Sequence, residues 1–262
     1  MQTRKIRGIQ LSYIDKGNNH PILFIHGHPF DHSMWNPQIN AFYTNHRVVV
    51  PDLRGYGKSD GSSSVVLLDE MALDLAILLD ELNIEHTIVC GLSMGGQIAL
   101  EFAHLFQHRI KHLIICASTA RPETPLSYRQ RLAMAEGLAD DGMRPYCQKE
   151  LKNFFSTSTF NNNKQVVEHV RTMILNTPPF GAAAANRGRA ERRDYTPTLK
   201  NLKVPTLILV GDEDVFTPIS EAKYMADHIQ NSQLHIMPNV GHMPNLEAAK
   251  SFNKVFKTFI DG

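Results

Sequence analysis

Short apolar, β-branched runs recur along the 262-residue chain at residues 22–25, 48–50, 88–90, 113–116, 207–210 and 234–237. Each is too short for a helix, and all but the last, which contains His235, are too uniformly apolar for a strand with one wet face and read as strands buried on both sides. Helix-length segments separate several of them. The clearest spans residues 67–82, where Leu68, Met71, Leu75, Leu78, Leu79 and Leu82 make one stripe and Asp69, Glu70, Asp74 and Asp80 fall outside it. That is the pattern of a helix with one buried face. Such alternation predicts an α/β fold, a mostly parallel central sheet flanked by helices on both faces.

The alternation stops between about residues 121 and 200. That stretch lacks strand patterns, carries helix-like pieces at 129–138, 164–175 and 182–192, and is broken by Pro122, Pro125, Pro145, Pro178 and Pro179. Residues 120–199 hold 12 Lys+Arg against 8 Asp+Glu, a net charge of +4, while the remainder holds 15 against 18, a net of −3. The expected organisation is a core domain of residues 1–119 and 200–262, with a helical lid of residues 120–199 inserted after the sixth core strand. A lid there would cover the carboxyl ends of the strands, where open α/β sheets keep their sites.

Composition narrows the function. With 27 Lys+Arg against 26 Asp+Glu, the chain lacks the basic excess that nucleic acid or an anionic membrane surface requires. No apolar run of about 18 residues is available to span a membrane. The first residues, with Arg4, Lys5 and Arg7, lack the apolar core of a signal peptide. Cys90 and Cys116 sit in apolar runs as small hydrophobes, Cys147 is alone, and no Cys-x-x-Cys pair occurs. A reducing cytoplasm is the expected compartment.

Thirteen histidines raise the question of metal. His104, His108 and His112, four apart, would share one face of a continuous helix. The helix should end near Gln107, however, before the strand that begins close to His112. His26, His28 and His32 lack the His-Glu-x-x-His spacing, and no carboxylate or cysteine stands at a companion spacing. Neither a metal nor a cofactor is expected.

The chemistry concentrates at Cys90-Gly91-Leu92-Ser93-Met94-Gly95-Gly96, between a strand and a helical pattern. A serine raised on so tight a turn needs small neighbours to let strand and helix approach, and Gly91 and Gly95 supply them. A serine hydroxyl is a poor nucleophile without a base, and the base needs an orienting acid. Both stand on loops after later strands. Gly211-Asp212-Glu213-Asp214 follows one, and Asn239-Val240-Gly241-His242 follows the next. His242 is expected as general base. Asp214, further into its loop than Asp212 and Glu213, is the expected acid. An oxyanion hole would take one backbone N–H from Met94 and a second from the loop His26-Gly27-His28-Pro29-Phe30. Pro29 has no N–H, which leaves His28 as the donor and Phe30 as its substitute.

These segments, together with Asp52-Leu53-Arg54-Gly55-Tyr56-Gly57-Lys58-Ser59-Asp60 and Gly241-His242-Met243-Pro244, resemble the α/β-hydrolase superfamily over essentially the whole chain. The resemblance implies the fold named above and a serine hydrolase acting on a small-molecule carboxylic ester or lactone through an acyl-enzyme. Ser93 sets the chain apart from the dehalogenases and epoxide hydrolases of the superfamily, which use a carboxylate nucleophile. It is most similar to small bacterial carboxylesterases, enol-lactone hydrolases and pimeloyl-carrier methyl esterases. The same triad also serves perhydrolases, C–C bond hydrolases and slow-turnover ligand receptors, which stand as alternatives.

Phe30, Trp35, Phe154, Phe155, Phe180 and Phe216, with Met94, are candidates for an apolar substrate wall. Arg187, Arg189, Arg192 and Arg193 cluster in the expected lid. They are read as a solvated helix face in preference to an anion-recognising surface or a carrier-protein dock.

Overall fold

Strands β1 (Gln2–Ile6) and β2 (Ile9–Lys16) form an antiparallel hairpin in which Ile6 faces Ile9. Arg7 and Gly8 between them both take positive φ, 44° and 85°. That is the two-residue turn whose twist matches that of the strands. The computed structural model describes residues 1–61 and 63–262. Beyond the hairpin the chain alternates: β3 (Pro21–Ile25), α1 (Asn36–Phe42), β4 (Arg47–Pro51), α2 (Leu68–Glu81), β5 (Thr87–Leu92), α3 (Met94–Phe106) and β6 (Ile110–Cys116). Among the described residues the sheet has eight strands in the order β1-β2-β4-β3-β5-β6-β7-β8. Here β7 is Thr206–Gly211 and β8 is Ser232–Met237. From β4 to β8 every pairing is parallel. The hairpin went unread in the sequence because β1 is exposed along most of its length and carries charge where the inner strands carry valine and isoleucine.

Side chains alternate across this sheet with period two. Leu23, Ile25, Val49 and Val89 enter one core with the stripe of α2, whereas Ile22, Phe24, Val48, Val50, Ile88 and Cys90 enter the other with Trp35, Phe252 and Phe256. Both faces are therefore covered, which is why the inner strands are continuously apolar.

Between β6 and β7 the chain is helical: α4 (Pro125–Asp141), α5 (Met143–Glu150), α6 (Thr157–Asn162), α7 (Lys164–Asn176), α8 (Pro179–Ala190) and α9 (Thr196–Asn201). The two ends of this excursion meet where the Tyr195 amide donates to the Ala120 carbonyl at 2.9 Å. Helix α8 is seated on the loop after β4 by two glycines. A Cβ on Gly181 would run into the Gly55 carbonyl, and one on Gly188 into the Val66 carbonyl. Seven residues are two turns, so both glycines lie on one face of α8. The chain closes with α10 (Ile219–His228), α11 (Pro244–Glu247) and α12 (Ala249–Asp261) around β7 and β8.

The order places β3 and β5 side by side at the centre, with the connection from β3 leading to β4 on one side and that from β5 to β6 on the other. A reversal of this kind opens a crevice beyond the carboxyl ends of those two strands. The loops that leave there are His26-to-Phe30 and the turn at Ser93.

Candidate active site

Ser93 lies between β5 and α3 at φ 57°, ψ −115°. A non-glycine residue held there costs on the order of 1–3 kcal/mol, and the surroundings must impose it. They do so from both sides. The Ser93 amide donates to the Cys116 carbonyl (2.9 Å), and Ser118 Oγ donates to the Ser93 carbonyl (2.8 Å). Gly91 has the Gly95 carbonyl where a Cβ would stand, and Gly95 has that of Ile25. The hydroxyl thus sits at the amino end of α3, where the helix dipole and free N–H groups favour negative charge.

His242 lies in the loop after β8, and its Nδ1 is 2.8 Å from Asp214 Oδ2, in the loop after β7. Asp214 accepts further hydrogen bonds from the amides of Phe216 and Thr217 (2.9 and 3.0 Å) and from the Thr217 hydroxyl. Burial raises the Asp214 carboxyl, but the His242 ring and these donors outweigh it and hold the group below its ordinary range. An ionised acceptor fixes Nδ1 of His242 as the protonated nitrogen and leaves Nε2 facing away from the acid. The two neighbouring acids are otherwise engaged: Asp212 accepts from the Val240 amide (3.3 Å), and Glu213 from the Thr157 amide (2.9 Å). Glu247, which sequence reasoning passed over, accepts from the amides of Gly241 (2.9 Å), Met243 (3.1 Å) and Ser156 (2.8 Å), bracing the His242 loop against the helical excursion.

Ser93 and His242 open into one cavity of about 170 Å³, lined also by His28, Gln97, Ser118, Thr119, Arg131, Met134, Tyr146, Phe154, Arg189, Phe216 and Thr217. No hydrogen bond joins Ser93 to His242 among the described residues; catalytic contacts often tighten only when substrate is bound. Of the aromatic candidates, Phe154 and Phe216 line this cavity and pack on the His242 ring at centroid distances of 5.9 and 5.0 Å. The other four do not. Trp35 is core, packed at a tilt against Phe24 and Phe252, and Phe30 is buried against Phe154. Phe155 is buried beside Phe160, and Phe180 is 76% exposed at the start of α8. Apolar type alone cannot say which aromatic faces a cavity, because core and pocket demand the same surface chemistry.

The loop after β3 approaches the serine closely, since a Cβ on Gly27 would stand 3.3 Å from that of Ser93. His28 and Met94 are both buried, and among the described residues neither amide donates to a protein acceptor. The His28 ring has a separate structural part. Asn186 Nδ2 of α8 donates to His28 Nε2 (3.1 Å), which leaves Nδ1–H to the Tyr56 hydroxyl (2.8 Å). Burial, followed by the charges of Arg189 and Arg131, pushes the His28 pKa well down, so the ring is neutral. His26 braces the same loop, taking the Leu53 amide on Nε2 at 2.9 Å.

Of the four clustered arginines, Arg189 and Arg192 turn inward against the solvated face that the sequence suggested, whereas Arg187 and Arg193 keep to the surface. Arg189 is 8% exposed and lines the cavity. The Arg192 side chain is buried and pairs with Glu123, which also takes Arg131. Arg187 pairs with Glu136, and Arg193 with Glu101. Their spacing gave no sign of inward rotation, because α8 is set by Gly181 and Gly188 rather than by a stripe of large apolar residues.

One group of donors converges well enough to consider an ion. Asp31, His32 and Asp52 each place one atom within 4.8 Å of the others. Asp52 is already saturated by the His32 amide and ring (2.8 Å each) and the Lys58 amide (2.9 Å), so the cluster ties loop to loop. No described helix is long and apolar enough to cross a membrane.

The strained turn at Ser93, the His242–Asp214 pair and the central crevice together define a class. A family model for the α/β-hydrolase fold matches residues 20–249, and the chain belongs to that family. The chain is 30% identical over 239 residues to 3-oxoadipate enol-lactonase 1 of Acinetobacter baylyi, covering 91% of this chain and 88% of that protein. It is also similar to a thermophilic esterase from Thermogutta terrifontis, solved with malate bound: TM-score 0.97, 37% identity, 100% of this chain and 98% of the other. The enol-lactonase from Burkholderia xenovorans LB400 superposes with TM-score 0.93 at 25% identity over the whole of both chains.

Proposed function

We propose that the chain is a serine hydrolase of small carboxylic esters or lactones, working through an acyl-enzyme on Ser93. The observation that carries this reading is the convergence of Ser93, on its strained turn, and the Asp214-oriented His242 on one cavity. Relatives named as esterase and enol-lactonase support the substrate class.

In this mechanism His242 Nε2 removes the Ser93 hydroxyl proton as Oγ attacks the carbonyl. Asp214 holds the ring by Nδ1–H and stabilises the imidazolium that forms. The carbonyl oxygen, becoming an oxyanion, receives the unclaimed amides of Met94 and His28. His242 then gives its proton to the departing alkoxide. Water repeats the sequence on the acyl-enzyme and releases the acid. Phe154 and Phe216 keep bulk water from the imidazole, which strengthens each of these interactions.

The test is turnover of a short-chain ester by Ser93→Ala and wild type. The substitution should lower kcat by on the order of 10⁶ with the fold intact. A variant that keeps most of its activity would remove Ser93 from the chemistry.

A further inference from the structure

Arg189 is a buried cation with no counter-ion among the described residues. Its Nε donates to Gln97 Oε1 at 3.1 Å, the only hydrogen bond its guanidinium makes among the described residues. No carboxylate lies within ion-pair distance of it there. Other acids pair elsewhere: Glu123 with Arg131 and Arg192, Glu136 with Arg187, and Glu101, through Oε2 alone, with Arg193 and the Tyr195 hydroxyl. Burial, and next the charges of Arg131 and Arg192, push the Arg189 pKa well down, the direction expected of a cation short of negative charge. Arg131 opens on the same cavity, beside Gln97, Ser93 and His242.

An isolated buried charge is expensive, and a well-packed apolar side chain of similar volume would be cheaper. The expense is understandable if an anion completes the site when substrate binds. Geometry agrees. Gln97 follows Ser93 by one turn of α3, about 6 Å along the helix axis, and its partner Arg189 lines the same cavity as Ser93. The cavity, at about 170 Å³, is smaller than the roughly 300–1,000 Å³ of drug-sized sites. A planar guanidinium matches a carboxylate in bidentate fashion, which an ammonium does not.

We propose that Arg189 and Arg131 form a carboxylate-binding subsite, and that the substrate is a short ester or lactone carrying a free carboxylate. The proposal rests on the hydrolase reading above and adds the charge and size of the substrate to it. For Arg189 it replaces the expected solvated helix face with a specificity element built into the cavity wall.

The experiment compares kcat/KM for monomethyl succinate with methyl butyrate, and monomethyl glutarate with methyl valerate, each pair differing by carboxylate against methyl. Acetoxyacetate against ethyl acetate places the charge on the alcohol side instead. Wild type should prefer an anionic member by roughly 10- to 100-fold, the worth of one or two charge-assisted hydrogen bonds. Arg189→Gln and, separately, Arg131→Gln should each shrink that ratio, and whichever folds carries the test. Succinate should raise the melting temperature of wild type more than butyrate does, and lose that advantage in the variants.

Ser93-dependent hydrolysis of the neutral esters with no anionic preference would overturn this subsite and leave the hydrolase reading standing. An anionic preference that survives both substitutions would overturn it too. If no ester is turned over, succinate binding still decides: binding lost in Arg189→Gln supports the subsite, and equal binding of succinate and butyrate removes it.

Discussion

Ser93 stands in a backbone conformation that only its neighbours' hydrogen bonds and two glycines sustain, and its candidate partner His242 is held as firmly by Asp214. The orientation of that imidazole depends on an acceptor that is ionised and saturated. Asp214→Asn replaces one acceptor oxygen with a donor and favours the wrong tautomer, so kcat should fall by on the order of 10⁴ with little change in melting temperature. Equal kcat for variant and wild type would separate Asp214 from the base. That Asp214 pairs with His242 and that His242 shares a cavity with Ser93 was legible in the sequence, because the three residue types stand after particular strands of a parallel sheet. Thr217, Glu247 and Gln97 could not be read there. Their parts are hydrogen bonds fixed by three-dimensional placement, and Glu247 acts on Ser156, 91 positions away.

Elements carry the next level of organisation, and α8 is the one on which the site depends most. It brings Asn186 to His28 and Arg189 to Gln97, and it is docked through Gly181 and Gly188. Gly188→Ala would drive a methyl group into the Val66 carbonyl, an overpacking that typically costs about 1–3 kcal/mol. The melting temperature should drop by several degrees, and kcat/KM should fall with it as α8 lifts. An unchanged melting temperature would show that α8 is not seated through this face. The inner strands and α2 were legible because burial on both faces leaves an apolar run and burial on one leaves a stripe. Helix α8 was blurred because close approach selects glycine and alanine, which carry almost no periodic signal.

A second connection between elements is the His32–Asp52 pair. Burial lowers the His32 pKa, yet the Asp52 hydrogen bond and charge outweigh it and raise the group overall. Burial also works against the Asp52 carboxylate, which the His32 contacts nonetheless hold low. A raised histidine contributes stability in full below its unfolded value of about 6.5 and loses it as pH climbs through the folded value. A lowered aspartate contributes above its unfolded value of about 3.9 and loses it as pH falls through the folded one. The melting-temperature gap between wild type and His32→Asn should be widest from about pH 4 to 6.5 and narrow towards pH 9. A gap that stays flat between pH 6 and 9 would show that the ion pair contributes nothing beyond packing.

At the scale of the whole molecule, a formal charge of +1 conceals an uneven distribution, with +4 in residues 120–199 and −3 elsewhere. The structure turns part of that basic excess inward, with Arg131 and Arg192 on Glu123 and Arg189 at the cavity, and leaves the Arg187–Glu136 and Arg193–Glu101 pairs nearer solvent. The sum over a segment was legible in the sequence, but the direction each guanidinium faces was not. A parallel sheet whose carboxyl-end loops bring Ser93 and His242 to one cavity, with basic helices between β6 and β7, is the arrangement that the proposed hydrolysis of a small acid's ester requires. The most direct test of that account is to treat the protein with diethyl 4-nitrophenyl phosphate, which phosphorylates an activated serine, and to map the adduct by peptide mass spectrometry while following esterase activity. Stoichiometric loss of activity with one diethylphosphoryl group on Ser93, absent from His242→Ala, is the predicted result. Full activity after exposure, or inactivation with the adduct on another residue, would contradict it.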